Sequence, residues 1–299
     1  MDSMFKYKIY LPSKERYFYF KPLTNSIYAD LNKIVANNDD QLLCKAFASI
    51  IYHLSERRVN PKKITRVDSF CIMLNIFIVS VRSTLELKLS DNVTNDRAKL
   101  DLYDVLDRVT NFQFEYEQEV DVNEHMSVVL KPPSVLYLER DNMLLEECVK
   151  QLTVNNNKYN FLELNDDQKR TVIDAVPAEF MTHVVNNIID INQEYNIEIY
   201  RPPGEDSEGV VLNMYNNSMF EILKIMFAGS LEATYFYKYF FAKHMGISNI
   251  DDMTPAETET YINFFKQEQE QAAKAQKDAQ KKSNRGTHLG GEIPGGLPS

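Results

Sequence analysis

The residues best placed by type and spacing to do chemistry are acidic. The stretch DLYDVLD sets Asp101, Asp104 and Asp107 three apart, on one face of any helix formed there, and Leu145–Glu147 (LEE) adds Glu146 and Glu147. Carboxylates spaced this way do acid–base work or hold Mg²⁺. One expectation is therefore a carboxylate-dependent, metal-assisted hydrolase. The competing expectation is a solvated acidic surface, since the chain has 43 Asp and Glu and such spacings recur by chance. His53, His125, His183 and His244 show neither H-x-x-x-H nor H-E-x-x-H spacing, and no G-x-S-x-G is present. Cys44, Cys71 and Cys148 are far apart and form no C-x-x-C. They predict reduced, mostly buried thiols rather than a zinc site or a disulfide framework. No catalytic residue, metal or cofactor is expected.

Glycine usage points the same way. Of nine glycines, five fall at positions 286, 290, 291, 295 and 296, which leaves four in the first 285 residues. Phosphate-cradling loops need glycine backbone that tolerates positive φ and a close approach to the ligand. Neither G-x-G-x-x-G nor G-x-x-x-x-G-K-[ST] occurs, so a Rossmann or P-loop nucleotide site is not expected.

The net charge is -10 over 299 residues. Residues 266–285 carry six Lys/Arg against three Asp/Glu, and residues 286–299 add one Glu, which leaves the body, 1–265, at -12. Such a body repels a phosphate backbone, so nucleic acid is not an expected partner. The N-terminus MDSMFKYKIYLPSKER has no signal-peptide apolar core. The longest apolar run, Phe70 to Val81, is broken by Asn75 and Ser80 and is shorter than the ~20 residues of a membrane span.

The elements that must position any site read as follows. Phe5–Leu11 and Tyr17–Phe20 form a hairpin around PSKER. Leu23–Asn37 and Asp40–Leu54 are helices, the second with apolar residues at helical spacing. Asp68 caps an apolar helix through FCIMLNIFIVSVRS, with a strand as the alternative. Strands dominate Leu85–Leu138 around a short helix in YDVLDRVTN. Cys148–Val154 and Tyr159–Leu164 form a hairpin joined by NNNK. Paired helices run over Asp166–Val176 and Pro177–Asn192, and IEIYRPPGEDSEGVVLNMY gives two strands. Ser218 with Glu221 is a capping box for a further helix. Leu231–Met245 is an aromatic helix ending at Gly246.

A last helix starts at Thr254 and Pro255. It is expected to pack through Tyr261, Ile262, Phe264 and Phe265, then continue as a solvated polar arm, with a disordered tail beyond Ser283. The fold class is α+β: a β-rich N-terminal and middle region with inserted helices, and a helical C-terminal region ending in the long polar helix. Four regions follow: 1–138 mixed β/α, 139–213 with the second hairpin and the paired helices, 214–265 helical, and 266–299 the arm and tail.

The order of these elements resembles one family. LPS, YFYFKPLTNSIYADLNKI, QLLCKAFASIIYHL, an apolar segment ending in VRSTLELKL, VVLKPPS, CVKQLTVNNNKYNFLELN and DDQKRTVIDAVPAEFMTHVVNNI follow one another over most of residues 8–190. This succession is similar to the baseplate hub subunits and hub assembly proteins of T-even-type contractile-tailed phages. SLEATYFYKYFFAKHMGISNIDDMTPAETETYINFFKQE resembles their end region. The resemblance implies a non-enzymatic role in baseplate hub assembly through protein–protein contacts, as assembly factor, chaperone or hub subunit. It implies other hub, tape-measure or tail proteins as partners. It places the chain in the host cytoplasm during assembly or in the virion tail. Some relatives carry cysteine pairs of metal-binding appearance; this chain has only Cys148 in that region, so no metal carries over.

If the function is contact, the contact residues should be aromatic, because Tyr and Phe are favoured at interface cores. TYFYKYFFAKHM puts aromatics on nearly every side of a helix. It is either a central core helix or a helix with one face at a subunit contact. The candidate partner-binding residues are Tyr235 and Tyr239 there, Tyr261, Phe264 and Phe265 on the last helix, and the small-residue row Ala272, Ala275 and Ala279 on its arm.

Overall fold

The computed structural model describes residues 5–88, 97–112, 117–139, 146–161, 163–174, 182, 196–201 and 209–286. The chain divides into two compact units, residues 1–255 and 256–299. The fold is α+β, as the sequence predicts.

The first unit is built on one helix. In α3 (Arg66–Ser80), thirteen of fifteen residues are buried. A helix apolar on all sides must be covered on all sides. Its cover comes from strand β1 (Tyr7–Leu11) and helices α2 (Asp40–Leu54), α4 (Leu102–Asn111) and α6 (Ser218–Met226). The strand alternative for this run is thereby excluded. Asp68 is not the N-cap. Thr65 caps the helix, with Asp68 at the third position returning a hydrogen bond, Thr65 N to Asp68 Oδ2 at 3.0 Å. The same carboxylate accepts from Ser13 N at 3.0 Å, which fastens the first hairpin to the helix start. Around this helix an aromatic cluster closes: Phe227 lies 5.2 Å from Phe77 and 5.4 Å from Phe47, centroid to centroid.

Among the described residues the paired strands are all antiparallel. β1 pairs with β2 (Arg16–Phe20), with Tyr10 opposite Tyr17. β3 (Thr84–Lys88) pairs with β4 (Arg97–Asp101). β5 (Gln118–Asn123), β6 (Met126–Leu130), β7 (Val149–Val154) and β8 (Asn157–Asn160) form a four-stranded sheet in that order. The β7–β8 turn is tighter than the expected NNNK. Asn155 and Asn156 take φ of 48° and 67°, the two-residue turn whose twist matches the strands, and Asn157 already belongs to β8. β9 (Asn196–Tyr200) and β10 (Val210–Asn213) form the last pair.

Among the described residues the other α-helices of this unit are α1 (Asn25–Ala36), α5 (Asp166–Asp174), α6 and α7 (Leu231–Phe240). The capping box expected at Ser218 and Glu221 does not form. Asn217 stands at the cap position without a side-chain capping bond, because its amide is used elsewhere. Its Oδ1 accepts from Leu138 N and its Nδ2 donates to Leu138 O, both at 2.9 Å. Ser218 Oγ instead accepts from Asn213 N at 2.7 Å, tying α6 to β10.

The second unit holds α8 (Pro255–Gly286), continuous over 32 residues. It therefore includes residues 284–286, which the sequence reading assigns to the start of the tail. The expected helix over Pro177–Asn192 and the tail beyond Gly286 lie outside the described residues. Among the described residues no helix is long and apolar enough to cross a membrane.

Candidate functional site

The aromatic helix is not the core of the fold. α7 starts where Ser230 accepts a hydrogen bond from Ala233 N at 3.2 Å. It widens into a π-helical turn over Phe241–Met245 and ends at Gly246, whose φ of 64° is the left-handed value that suits glycine. Phe241 is fully buried in this turn. Tyr235, Phe236 and Tyr239 are instead 59%, 57% and 59% exposed. The core-helix alternative is thus overturned. A run of adjacent aromatics points in every direction, and the described side chains of α7 are at most half-buried, on the side that packs chiefly on α1.

The exposed side is ordered by its own contacts. Tyr235, Tyr239 and Lys243 follow at i, i+4, i+8. Lys243 Nζ donates to Tyr239 Oη at 2.8 Å and lies 5.1 Å from the ring centre. Phe236 stacks on Phe240 at 6.0 Å, and Phe240 meets His244 at 5.1 Å. Lys238 pairs with Asp251 at 2.6 Å. Aromatic side chains grouped on a surface offer a large apolar area that association would remove from water at low conformational cost.

On α8, Tyr261 and Phe264 are 44% and 58% exposed, Phe265 is half-buried, and Ala272, Ala275 and Ala279 are exposed. Packing through all four apolar residues of YINFF was expected. At about 100° per residue the four span roughly 160° of the helix surface. Ile262 is buried and Phe265 half-buried, and Tyr261 and Phe264 lie toward the exposed edge of that arc.

The carboxylates separate by role. Asp101 is the N-cap of α4 and accepts from Tyr103 N at 2.9 Å. Asp107 Oδ1 accepts from Asn111 Nδ2 at 2.7 Å. Glu146 pairs with Arg170 at 3.4 Å, and Glu147 accepts from Ser134 Oγ at 2.8 Å. Among the described residues no group of three or more His, Cys, Asp or Glu is placed to hold a metal ion.

Residues 4–215 match the family model described as T4 bacteriophage base plate protein. The chain belongs to that baseplate family. No curated protein and no solved structure matches it. In this baseplate protein the matched segment runs from the first hairpin through β10. The exposed aromatics of α7 lie beyond it.

The residue that sequence reasoning misses is Arg66, which fixes where the C-terminal helices of this baseplate protein begin. It is fully buried. Its backbone N–H donates to Pro133 O at 3.0 Å, its Nε to Val135 O at 2.7 Å, and its Nη1 to Met214 O at 3.4 Å and to Asn216 O. One side chain thus binds α3, the 133–135 segment and the turn that leads into α6. Burial draws its pKa down to about 10, so it stays charged at neutral pH. The signal was present in the sequence. A cation in the first turn of a helix opposes the helix dipole, so an Arg at that place needs a reason from outside the helix.

Proposed function

We propose that this baseplate protein acts without catalysis in assembly of the tail baseplate hub, as an assembly factor or hub subunit, by presenting aromatic contact surfaces to other hub, tape-measure or tail proteins. One observation carries the reading: in a chain of the baseplate family, Tyr235, Phe236 and Tyr239 stand together more than half exposed. Tyr261, Phe264 and Phe265, with the row Ala272, Ala275 and Ala279, extend the reading to α8. Large aromatics of this kind supply most of the energy of a protein–protein contact.

The test is co-expression with hub and tape-measure proteins followed by affinity capture. The chain should co-purify with at least one of them. The double variant Tyr235→Ala/Tyr239→Ala should lose that capture by tenfold or more, a change of about 1.4 kcal/mol or more. Its melting temperature should stay close to the parent's, since both side chains are exposed. No complex with any of these proteins, or a complex indifferent to the double variant, overturns the proposal. Mass spectrometry of purified particles then separates the two forms of the role. A stoichiometric copy number means a hub subunit; absence means a transient assembly factor.

A further inference from the structure

A second surface differs in chemistry from the aromatic face. A cleft of about 740 Å³ is lined on one side by the first hairpin, through Lys8, Tyr10 and Tyr17, and on the other by α4, through Tyr103, Asp104 and Asp107. Strand alternation explains the hairpin's contribution. Ile9 and Leu11 turn inward and are buried, so Lys8, Tyr10 and Tyr17 share the outer face. Helical periodicity explains α4 in the same way. Leu102, Val105 and Val109 are buried, and Tyr103, Asp104 and Asp107 are exposed.

The charges in this cleft are not balanced internally. Lys8 Nζ sits 4.3 Å from the centre of the Tyr17 ring and meets no carboxylate among the described residues. Asp107 has one oxygen taken by Asn111. Asp104 has no hydrogen-bond or ion-pair partner among the described residues. An anionic or phosphate ligand would face both carboxylates and is excluded by repulsion. What the lining offers is a pair of carboxylates one helical turn apart, flanked by the 57% exposed ring of Tyr103. A planar guanidinium fits this set, since it bridges carboxylate oxygens and stacks on an aromatic face at once. The Lys8–Tyr17 contact is a cation over a ring already made within the chain, in the same cleft.

We propose that this cleft docks an arginine-bearing segment of a neighbouring protein, held by Asp104 and Asp107 and stacked on Tyr103. The body charge of -12 complements such a segment. It also disfavours a second copy of the same body as occupant. The inference goes beyond the hub reading and stands whichever tail protein supplies the segment.

Titration calorimetry of the full chain with acetyl-Gly-Arg-Gly-Arg-Gly-amide tests it, against the same peptide carrying citrulline, which keeps the shape and loses the charge. The arginine peptide should bind, and added salt should weaken it. Asp104→Asn/Asp107→Asn should lower its affinity roughly tenfold or more, as expected for charge-assisted hydrogen bonds. Tyr103→Ala should weaken it less. Tyr235→Ala/Tyr239→Ala should leave it unchanged, which keeps this result separate from the hub test. Melting temperatures near the parent's would show that the cleft variants fold. The proposal is overturned if the arginine peptide fails to bind at millimolar concentration, or if citrulline binds equally. It is also overturned if a neutral oligosaccharide is the preferred occupant, or if the cleft variants abolish a self-association of the chain.

Discussion

Gly229 sits against the buried side chain of Asn32, and a β-carbon added there would fall 2.6 Å from Asn32 Nδ2. Asn32 is buried in α1, so the clash must be absorbed by turning its amide within the core or by shifting α1 or the α6–α7 connection. Gly229→Ala is expected to cost about 1–3 kcal/mol, the usual range for overpacking, read from the urea midpoint. A second residue-scale prediction concerns alkali. Burial pushes the Cys148 thiol up to about 12 and raises Cys71 as well. An unfolded thiol titrates near ~8.5. The folded state therefore keeps its thiol protons over a range where the unfolded state has lost them. Stability is fully present below the unfolded value and falls as pH rises through the interval toward the folded value. The loss should approach about 1.4 kcal/mol per pH unit per thiol above pH ~9. Cys148→Ala should flatten that slope in denaturation curves collected from pH 8 to 11. A slope equal to the parent's would assign alkaline sensitivity to other groups.

At the scale of elements, α3 and α7 make an instructive pair. Both are apolar runs, and periodicity alone left each with an alternative. α3 is rich in aliphatic residues and, from Val67 to Ser80, carries a single charge, Asp68, which its capping box consumes. It had to be central. α7 carries Glu232 and Lys238 among tyrosines whose hydroxyls tolerate water, so one side could be left exposed. α8 illustrates the opposite limit. Every residue from 266 to 280 is exposed. Its helicity there rests on Ala and Gln and on pairs such as Glu270 with Lys274, worth about 0.2–0.5 kcal/mol each. Deleting residues 266–299 should therefore leave the melting temperature of the remaining chain almost unchanged. A drop of ten degrees, roughly 2.5–5 kcal/mol for a chain of this size, would show that the arm is packed.

For the whole molecule, the decisive quantity is how charge is distributed. The body, residues 1–265, carries -12 and the arm, residues 266–285, carries +3, so the two would respond to a charged surface in opposite senses. Four of the five candidate carboxylates hold structural roles, capping α4, bonding Asn111, pairing Arg170 and accepting from Ser134, and Asp104 lines the cleft with Asp107. Millimolar Mg²⁺ or Mn²⁺ should consequently leave the thermal transition where it is. A clear rise, abolished by Asp101→Asn/Asp104→Asn, would restore the hydrolase expectation.

The sequence by itself determined the local elements and the family. The first hairpin, α1, α2, the β9–β10 pair and the left-handed Gly246 were all legible, because turn residues, helical spacing and glycine's freedom act over a few neighbouring positions. The order of those elements was enough to carry the baseplate resemblance. Tertiary structure alone decided which apolar helix is buried, that Asn217 spends its amide on Leu138 rather than on a cap, and that Arg66 joins segments up to 150 residues apart. It also decided that Lys8, Tyr17 and Tyr103 would line one cleft with Asp104 and Asp107. The physical reason is common to all of these. A polar group chooses its partner by total desolvation and hydrogen-bond energy in the folded state, and the winning partner is often far away in sequence.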